Sequence, residues 1–362
     1  MTKVAIFDGH NDLLARLYFD GPGAADSFHM GRPRGHLDAT KAKTGGFLGG
    51  LFALWVPSAG RGQDPASTQS MQRQKYDLPL PQTLDREHAK QVVWKQISLL
   101  RDLEANNAVS MCTTADAVET TMNAGQIAAV LHLEGAECID PDLEELDALY
   151  DAGLRSLGPV WSRPTIFGDG VPFRFPSSPD TGNGLTALGK KLIKRCGELS
   201  IMVDVSHLTE RGFWDVAEHS SQPLVATHSN AHALSPHSRN LTDAQLYAIS
   251  GSKGLVGVNF ATSFLRDDGR MVSDTPRDLI LRHIDYLIER MGEDCVALGS
   301  DFDGAIIPRT VGSVAGLQEI VADMRERGYS SDLIKKICHG NWMRTLRLAW
   351  GQKERQPELV TT

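Results

Sequence analysis

The sequence predicts an α/β protein built as a closed (β/α)8 TIM barrel, and three observations lead to this prediction. Apolar runs with the composition of buried strands alternate along the 362 residues with helical segments or long crossovers, and eight such runs occur. No strong linker divides the chain, so we expect a single domain over residues 1–362, a size that barrels reach when their loops carry insertions. Residues able to bind metal follow several of the runs, at the end of the barrel where functional side chains lie.

The predicted strands are short runs rich in β-branched and apolar residues, as expected for parallel strands buried on both faces. In chain order they cover residues 4–7, 45–56, 127–133, 154–160, 201–206, 224–227, 254–260 and 296–300.

The predicted helices fill the spaces between these strands and follow the periodicity of amphipathic segments. They cover residues 84–106, 141–152, 186–199, 213–219, 243–250 and 276–291, with a mostly helical tail at 314–350. Asp140 is predicted to cap the second of them, because Pro141 then occupies the first helical position. Residues 57–82 and 161–184 show no clear period and are predicted to be long loops, the first of them a lid over the site.

Composition and charge exclude several classes of function. Apolar residues make up 41% and charged residues 23% of the chain, and the formal net charge is -8. An acidic balance without clustered Lys or Arg argues against nucleic acid or an anionic membrane surface as the main partner. No apolar run reaches transmembrane length and the amino terminus lacks the pattern of a signal peptide, so we expect a cytoplasmic protein.

The five cysteines are scattered and form no Cys-x-x-Cys pair. Neither a disulfide framework nor a thiolate zinc site is therefore indicated, and we interpret them as small apolar residues in a reducing compartment.

His10 and Asp12 follow the first predicted strand and stand two residues apart. Side chains on an extended backbone alternate with a period of two, so both point to the same side. An imidazole and a carboxylate side by side can begin a zinc site. They can equally be turn or capping residues, and these positions alone would favour that interpretation.

Further candidate ligands follow four other strands, which changes this balance. They are Glu134, His207, His228 and Asp301. Each has a structural alternative of its own, since His207 could cap a helix, His228 could belong to a turn and Glu134 could be a solvated strand end. Six such residues at one end of one barrel favour a metal site.

The chemistry of the set suits two divalent ions. Three histidines and several carboxylates without a thiolate are typical of catalytic zinc, and they are too many for one ion with an open position. Glu134 lies in the chain between the pair His10 and Asp12 and the pair His207 and His228, and it is therefore the natural bridging ligand. A hydroxide held between the ions would be available near neutral pH, and Asp301 is placed to act as the general base.

The sequence resembles the renal dipeptidase (membrane dipeptidase) family of zinc peptidases, peptidase family M19 of the amidohydrolase superfamily. The motifs that carry the resemblance occur in the expected order over nearly the whole chain. They are DGHNDL at 8–13, LEG at 133–135, VDVSH at 203–207, ATHSN at 226–230, SRNL at 238–241 and GSDFDG at 299–304.

This resemblance implies a barrel of the metal-dependent hydrolase type with two Zn2+ per chain. By resemblance, His10 and Asp12 bind the first zinc, Glu134 bridges, and His207 and His228 bind the second. Asp301 would be the proton shuttle, and Arg239 would hold the terminal carboxylate of the substrate, for which its planar fork is suited.

One loop departs from the family pattern. Vertebrate members carry a histidine after the fourth strand that contacts the substrate carbonyl or its oxyanion, and the comparable stretch here offers Trp161. We therefore predict Trp161 as a substrate-binding residue, with Arg163 as another candidate donor. Without such a donor, the oxyanion would depend more heavily on the second zinc.

The leading hypothesis is a zinc-dependent dipeptidase in which a metal-bridging hydroxide hydrolyses L-Xaa-L-Xaa and L-Xaa-D-Xaa dipeptides. Two alternatives remain open, namely another amidohydrolase reaction such as deacylation of N-acyl amino acids, and a barrel that binds metal or peptide without catalysis. The resemblance also implies that the chain can form a homodimer, because the family tends to do so.

Overall fold

The computed structural model describes residues 3–58 and 65–351. Its strands are listed here in chain order and numbered accordingly. They are β1 (Ile6–Asn11), β2 (Phe47–Trp55), β3 (Tyr76–Asp77), β4 (Ser110–Met111), β5 (Ala128–Glu134), β6 (Leu154–Gly158), β7 (Arg174–Phe175), β8 (Met202–Val203), β9 (Val225–Ser229), β10 (Leu255–Val258) and β11 (Val296–Leu298).

Eight of these strands form the predicted parallel barrel, which confirms the fold class. One sheet has the order β1-β2-β5-β6-β8 and the other the order β11-β10-β9. Single parallel bridges join the two sheets at both seams, from Asp204 to Val225 and from Asn11 to Phe302. β1 therefore neighbours β11, and the carboxyl ends of all eight strands surround one opening.

The helices surround this barrel and are again listed in chain order. They are α1 (Leu13–Asp20), α2 (Ser27–Met30), α3 (Ala39–Gly45), α4 (Pro65–Met71), α5 (Arg86–Ala105), α6 (Ala115–Asn123), α7 (Glu144–Asp151), α8 (Ala187–Leu199), α9 (Glu210–His219), α10 (Asp243–Gly251), α11 (Thr262–Leu265), α12 (Asp278–Met291), α13 (Leu317–Glu326), α14 (Ser331–Lys335) and α15 (Asn341–Ala349). Short 3-10 turns cover Glu293–Cys295 and Val314–Gly316, and a π-helical turn covers Lys336–Gly340.

The barrel is filled from below by apolar side chains. Phe7, Val130 and Met202 belong to one buried cluster together with Trp342 of α15, whose indole donates to the carbonyl of Leu298 at 2.9 Å. Apolar burial on this scale is the main stabilising contribution to such a core. The apolar cluster fills the amino-terminal end of the barrel, and the carboxyl end is left for polar side chains.

Gly9 shows how tightly β1 fits into this core. A Cβ atom at this position would lie 2.4 Å from the Thr227 carbonyl oxygen and 2.4 Å from the Trp342 ring. A larger residue would therefore push β1 outward, and His10, the next residue, would move with it.

The two predicted loops contain structure that the sequence pattern did not reveal. Within 57–82, the described residues form α4 and β3, while residues 59–64 lie outside the described range. β3 pairs antiparallel with β7, which lies within 161–184. Strands of two residues have too few side chains to show a period, and they are stabilised by each other rather than by their own pattern.

Other expectations also differ from the structure. The elements α1, α2, α3, α6, α11 and β4 were not predicted, and α7 begins at Glu144 rather than Pro141. The Asp140 carboxylate still accepts hydrogen bonds from the amides of Glu144 and Glu145. It therefore pairs two free amides in the first turn of α7, although it lies three residues before the N-cap position Leu143. His10 and His228 lie within β1 and β9 instead of after them, because both strands extend further than their apolar runs.

Candidate metal centre

The side chains predicted as metal ligands converge at the carboxyl end of the barrel. All five are buried, and they are His10, Asp12, Glu134, His207 and His228. Asp301 lies beside them and is partly exposed. The strand ends are brought together by the parallel barrel, because residues far apart in the chain occupy the last positions of neighbouring strands.

Glu134 stands at the middle of the cluster. Its Oε1 lies 3.1 Å from His207 Nε2 and 3.3 Å from His228 Nε2, and its Oε2 lies 3.7 Å from His10 Nε2. Each carboxylate oxygen therefore faces a different set of imidazoles. This is the arrangement expected of a carboxylate shared by two cations.

The His10 side of the cluster also includes two aspartates. His10 Nε2 lies 3.3 Å from Asp12 Oδ2, and one ligand atom each from His10, Asp12 and Asp301 fit within 4.8 Å of one another. The same separation encloses ligand atoms of His10, Glu134 and His228. Two overlapping groups of nitrogen and oxygen donors thus meet at His10.

The ring nitrogens of His228 are assigned by its neighbours. The Thr227 hydroxyl donates to Asp204 Oδ2 at 2.6 Å, and its oxygen lies 2.8 Å from His228 Nδ1. Since that hydroxyl has one proton, Nδ1 must supply the hydrogen of the second contact, and Nε2 keeps its lone pair for a metal.

His207 is held in a similar way by a hydroxyl. Ser162 Oγ lies 2.8 Å from His207 Nδ1, while His207 Nε2 lies 3.0 Å from His228 Nε2. Two imidazoles whose Nε2 atoms converge and whose Nδ1 atoms are occupied are typical of ligands to one ion.

The electrostatics of the cluster favour added positive charge. Burial raises the pKa of Glu134 well above its ordinary value and also raises the pKa of Asp301. Burial opposes protonation of His10, yet the neighbouring Glu134 and Asp12 carboxylates raise its pKa to about 10. Burial lowers the pKa values of His207 and His228 well below the ordinary range, so both rings are neutral and able to ligate.

These residues fit metal ions. Both ring nitrogens of His10 are buried and have no hydrogen-bond partner among the described residues, a costly arrangement unless a cation uses them. The donor set of imidazoles and carboxylates suits zinc or a similar divalent ion.

Arg239 reaches the same opening from the segment after β9. Its Nη2 donates to the His228 carbonyl oxygen at 3.0 Å, and its Nη1 lies 3.5 Å from Ser229 Oγ. Its Nε is buried without a partner among the described residues. Burial lowers the pKa of Arg239 to about 10, so the guanidinium remains charged at neutral pH with donor capacity left for an anion.

Trp161 lines the His207 side of the opening. Its ring lies 5.9 Å from the His207 ring, 5.3 Å from Trp55 and 5.7 Å from Phe173. Phe173 lies 6.4 Å from the His207 ring as well. These rings give the site an apolar wall, and Phe173 continues it to Phe264, whose ring lies 5.4 Å from the Arg239 guanidinium.

Arg163 does not serve as the alternative donor that the sequence suggested. Its guanidinium is fully buried and donates to Glu137, to Ser58 and to the Val56 carbonyl oxygen. The group therefore ties together the ends of two loops, and four of its five N–H protons are donated within the protein.

Several polar residues around the site were not predicted from the sequence. Thr227, Ser162 and Asn259 were not predicted, although each lies next to a predicted ligand or at a strand end. His237 and His283 were not singled out either, and both are buried. Asp8 accepts hydrogen bonds from the Ser300 amide and hydroxyl, and thereby links β1 to the segment after β11.

Across the described residues, the longer helices are too polar or too short to cross a lipid bilayer.

Comparison with known proteins gives a consistent result. The model of the membrane dipeptidase family (peptidase family M19) matches residues 1–358. The uncharacterized protein in the pqqA 5′ region of Klebsiella pneumoniae is 50% identical over 263 residues, which cover 72% of this chain and 97% of that protein. The uncharacterized protein in the PQQ-III 3′ region of Acinetobacter calcoaceticus is 42% identical over 290 residues, 80% of this chain and 90% of that protein.

Solved structures agree with the sequence matches. A metallopeptidase of Rhodobacter sphaeroides, crystallised with a phosphinate mimic of the dipeptide L-Ala-D-Ala, superimposes with a TM-score of 0.95 at 48% identity, covering 96% of this chain and 100% of that one. The probable dipeptidase PvdM of Pseudomonas aeruginosa, at 22% identity, has the same fold with a TM-score of 0.78, covering 97% of this chain and 96% of that one.

Proposed function

The chain belongs to the membrane dipeptidase family, peptidase family M19, and from this membership we propose that it hydrolyses dipeptides at a centre of two zinc ions. The family makes it a metallo-dipeptidase, and the proposal concerns the metal, the substrate and the roles of the residues. The observation that carries it is the position of Glu134, whose two oxygens face His10 on one side and His207 and His228 on the other.

Each ion would have its own ligands. His10 and Asp12 would hold the first ion, His207 and His228 the second, and Glu134 both. When bound, the ions would make water nucleophilic near neutral pH and would polarise the carbonyl of the scissile bond.

Arg239 would bind the C-terminal carboxylate of the dipeptide. Its guanidinium is buried, charged and partly unpaired, and a carboxylate can accept two of its protons in parallel. This contact fixes the length of the substrate, since a longer peptide has no carboxylate at that distance from the scissile bond.

Asp301 would carry the proton from the attacking water to the departing amine. Its carboxylate borders both the His10–Asp12 group and the opening, so it can reach the water and the leaving group. Burial raises the pKa of Asp301, which makes it a stronger base than an exposed aspartate.

Trp161 would pack against the substrate on the His207 side. The Rhodobacter sphaeroides relative was crystallised with a phosphinate mimic of L-Ala-D-Ala. We therefore propose L-Xaa-D-Xaa dipeptides, L-Ala-D-Ala among them, as substrates beside L-Xaa-L-Xaa dipeptides.

We further propose a single domain over residues 1–362, with the first loop serving as a lid, that works in the cytoplasm as a homodimer. The five cysteines are free and buried, which suits a reducing compartment.

The decisive experiment combines metal analysis with turnover. We expect about two zinc ions per chain and hydrolysis of both L-Ala-D-Ala and L-Ala-L-Ala. Chelation should remove the zinc and abolish both activities, and added zinc should restore them. N-acetyl-D-Ala tests the alternative deacylase, because a dipeptidase requires the free amine. Two bound ions without turnover of any of these compounds would contradict the proposed reaction.

A further inference from the structure

Asn259 is a buried carboxamide at the end of β10 that the dipeptidase mechanism leaves without a role. Its Oδ1 accepts the amide proton of Ala261 at 2.6 Å. This contact assigns the orientation of the carboxamide, because only the oxygen can accept a proton. The NH2 group must therefore face the other way, where Nδ2 donates to Asp301 Oδ2 at 3.0 Å.

The backbone of Asn259 is fixed by a second carboxamide. Its amide donates to Asn230 Oδ1 at 3.1 Å, and Asn230 Nδ2 donates back to the Asn259 carbonyl oxygen at 2.9 Å. Asn230 follows β9, the strand that carries His228. The reciprocal pair thus joins the ends of β9 and β10 and leaves Asn259 little freedom to move.

The Asn259 NH2 group also lies near the other functional residues. The His228 carbonyl oxygen accepts from Arg239 Nη2 at 3.0 Å and lies 3.5 Å from Asn259 Nδ2. A proposed metal ligand, the proposed carboxylate clamp and the proposed proton carrier therefore meet around one carboxamide.

Asp301 is held so that its two carboxylate oxygens differ. Its backbone adopts a left-handed conformation with φ +63°, and its amide donates to the His10 carbonyl oxygen at 3.1 Å. Oδ2 is occupied by Asn259, whereas Oδ1 accepts no hydrogen bond from the described residues.

Glycine at position 304 leaves room beside that second oxygen. A Cβ atom on Gly304 would lie 2.5 Å from Asp301 Oδ1 and 2.1 Å from Asp12 Oδ2. Oδ1 therefore faces the first metal group.

We propose that Asn259 is a positioning residue that binds Asp301 Oδ2 and thereby makes Oδ1 the oxygen that accepts and returns the proton during dipeptide hydrolysis. The inference rests on the proposed function, since it assigns the proton to Asp301. A carboxylate with one anchored oxygen presents the other at a constant distance and angle, which general acid–base catalysis requires.

The test is a double-mutant cycle on L-Ala-D-Ala with the zinc-loaded full chain. Asn259→Leu has nearly the same volume and lacks the donor, and we expect kcat to fall about 10- to 100-fold with KM changed less than about threefold. Asp301→Asn preserves a residue type that tolerates a left-handed backbone. In the Asp301→Asn background, Asn259→Leu is expected to have no further effect on kcat, because the oxygen it positions no longer carries a proton.

A matched control is available at the opposite end of the barrel. Asn341 is also buried and donates from Nδ2 to the Val296 carbonyl oxygen at 2.8 Å, at the start of β11. Asn341→Leu is expected to lower the melting temperature without changing kcat. The solvent deuterium isotope effect on kcat should rise in Asn259→Leu and stay at the wild-type value in Asn341→Leu.

Several results would overturn the assignment. These are wild-type kcat in Asn259→Leu, an equal loss from that change in the Asp301→Asn background, or loss of zinc in step with the loss of activity. If the wild-type protein hydrolyses no dipeptide, the proposed function fails, and the inference is then decided by crystal structures of zinc-loaded wild type and Asn259→Leu. The Asp301 carboxylate should be rotated in the variant, and an unchanged carboxylate would refute the positioning role.

Discussion

The His207–His228 half of the proposed metal centre and the His10–Asp12 half differ in how their side chains are held. On the first half, hydroxyl groups of Ser162 and Thr227 occupy the Nδ1 atoms, and the two Nε2 atoms converge on Glu134 Oε1. On the second half, both nitrogens of His10 are buried without a hydrogen-bond partner among the described residues, although Nε2 lies 3.3 Å from Asp12 Oδ2.

The His10 half depends on the backbone instead. The amide of Asp12 donates to the Phe302 carbonyl oxygen at 2.8 Å, and the amide of Asp301 donates to the His10 carbonyl oxygen at 3.1 Å. These bonds close the barrel between β1 and β11 and place the His10 side chain without orienting its ring. One half is therefore held by hydrogen bonds to its imidazoles, whereas the His10 ring is held by packing against the His228 ring at 3.9 Å and the His132 ring at 5.4 Å.

The largest effect is expected where the two halves meet. Glu134→Gln removes the charge that both ions would share, and we expect turnover of L-Ala-D-Ala to fall further than in any other variant, because both ions would lose a ligand. Zinc content should decrease below two ions per chain. If the variant keeps two ions per chain and measurable turnover, the two halves bind their ions without Glu134 as a shared ligand.

A slightly smaller loss of turnover is expected from a change of Asp301, the proposed proton carrier. Asp301→Asn should lower kcat by about 10²- to 10⁴-fold, the usual contribution of general acid–base catalysis, while zinc content remains that of the wild type. Steady-state kinetics together with elemental analysis separates this variant from Glu134→Gln. Loss of one ion from Asp301→Asn would make Asp301 a ligand of the His10 half.

In the His207–His228 half, the hydroxyl contact to each histidine can be removed by a single substitution. Thr227→Val breaks the chain from Asp204 to His228, and zinc affinity should fall about 10- to 100-fold, as is typical when a partner of a ligand histidine is lost. Thr345→Val is the matched control, since the Thr345 hydroxyl is buried without a partner among the described residues. Competition with a chelator of known affinity measures the difference, and equal affinities in the two variants would refute it.

The comparison also predicts an order of metal release. Under increasing chelator concentration, the ion of the His10 half should leave at a lower concentration than the ion of the His207–His228 half. In a cobalt-loaded sample, the species that remains should have the absorption spectrum of a site with two imidazoles. Simultaneous release of both ions, or earlier release from the His207–His228 half, would break the comparison.

The smallest expected effect concerns a buried histidine outside the metal centre. His283 accepts from the Ala231 amide at 3.2 Å and lies 3.0 Å from the Leu265 carbonyl oxygen, and burial lowers its pKa to about 4. An unfolded histidine titrates near 6.5, so between pH 6.5 and 4 the unfolded chain binds one more proton at this residue. The free energy of unfolding therefore decreases as the pH falls through this range.

His283→Gln should reduce that slope by at most about 1.4 kcal/mol per pH unit, the value for one proton. Urea denaturation of metal-free protein at several pH values measures it, and His88→Gln, at an exposed position, is the control. Equal slopes in both variants would show that His283 is not the group responsible.

The sequence alone was sufficient for the fold class and for the positions of the candidate ligands. Apolar runs such as 127–133 and 254–260 determine strands by their composition, because strands buried on both faces need no alternation. His10, Glu134, His207 and His228 were recognisable because barrel strands deliver their last residues to one end. Their roles as ligands remain predictions.

Only the tertiary structure decided which neighbours hold these groups. The sequence offered Arg163 as a free donor, but Glu137 and Ser58 occupy it from other loops. Asn259 and Asp301 are separated by 42 positions and Thr227 and Asp204 by 23, and no periodicity relates them. Hydrogen bonds depend on distances of about 3 Å and on donor direction, and these are determined when the barrel closes rather than by any local pattern.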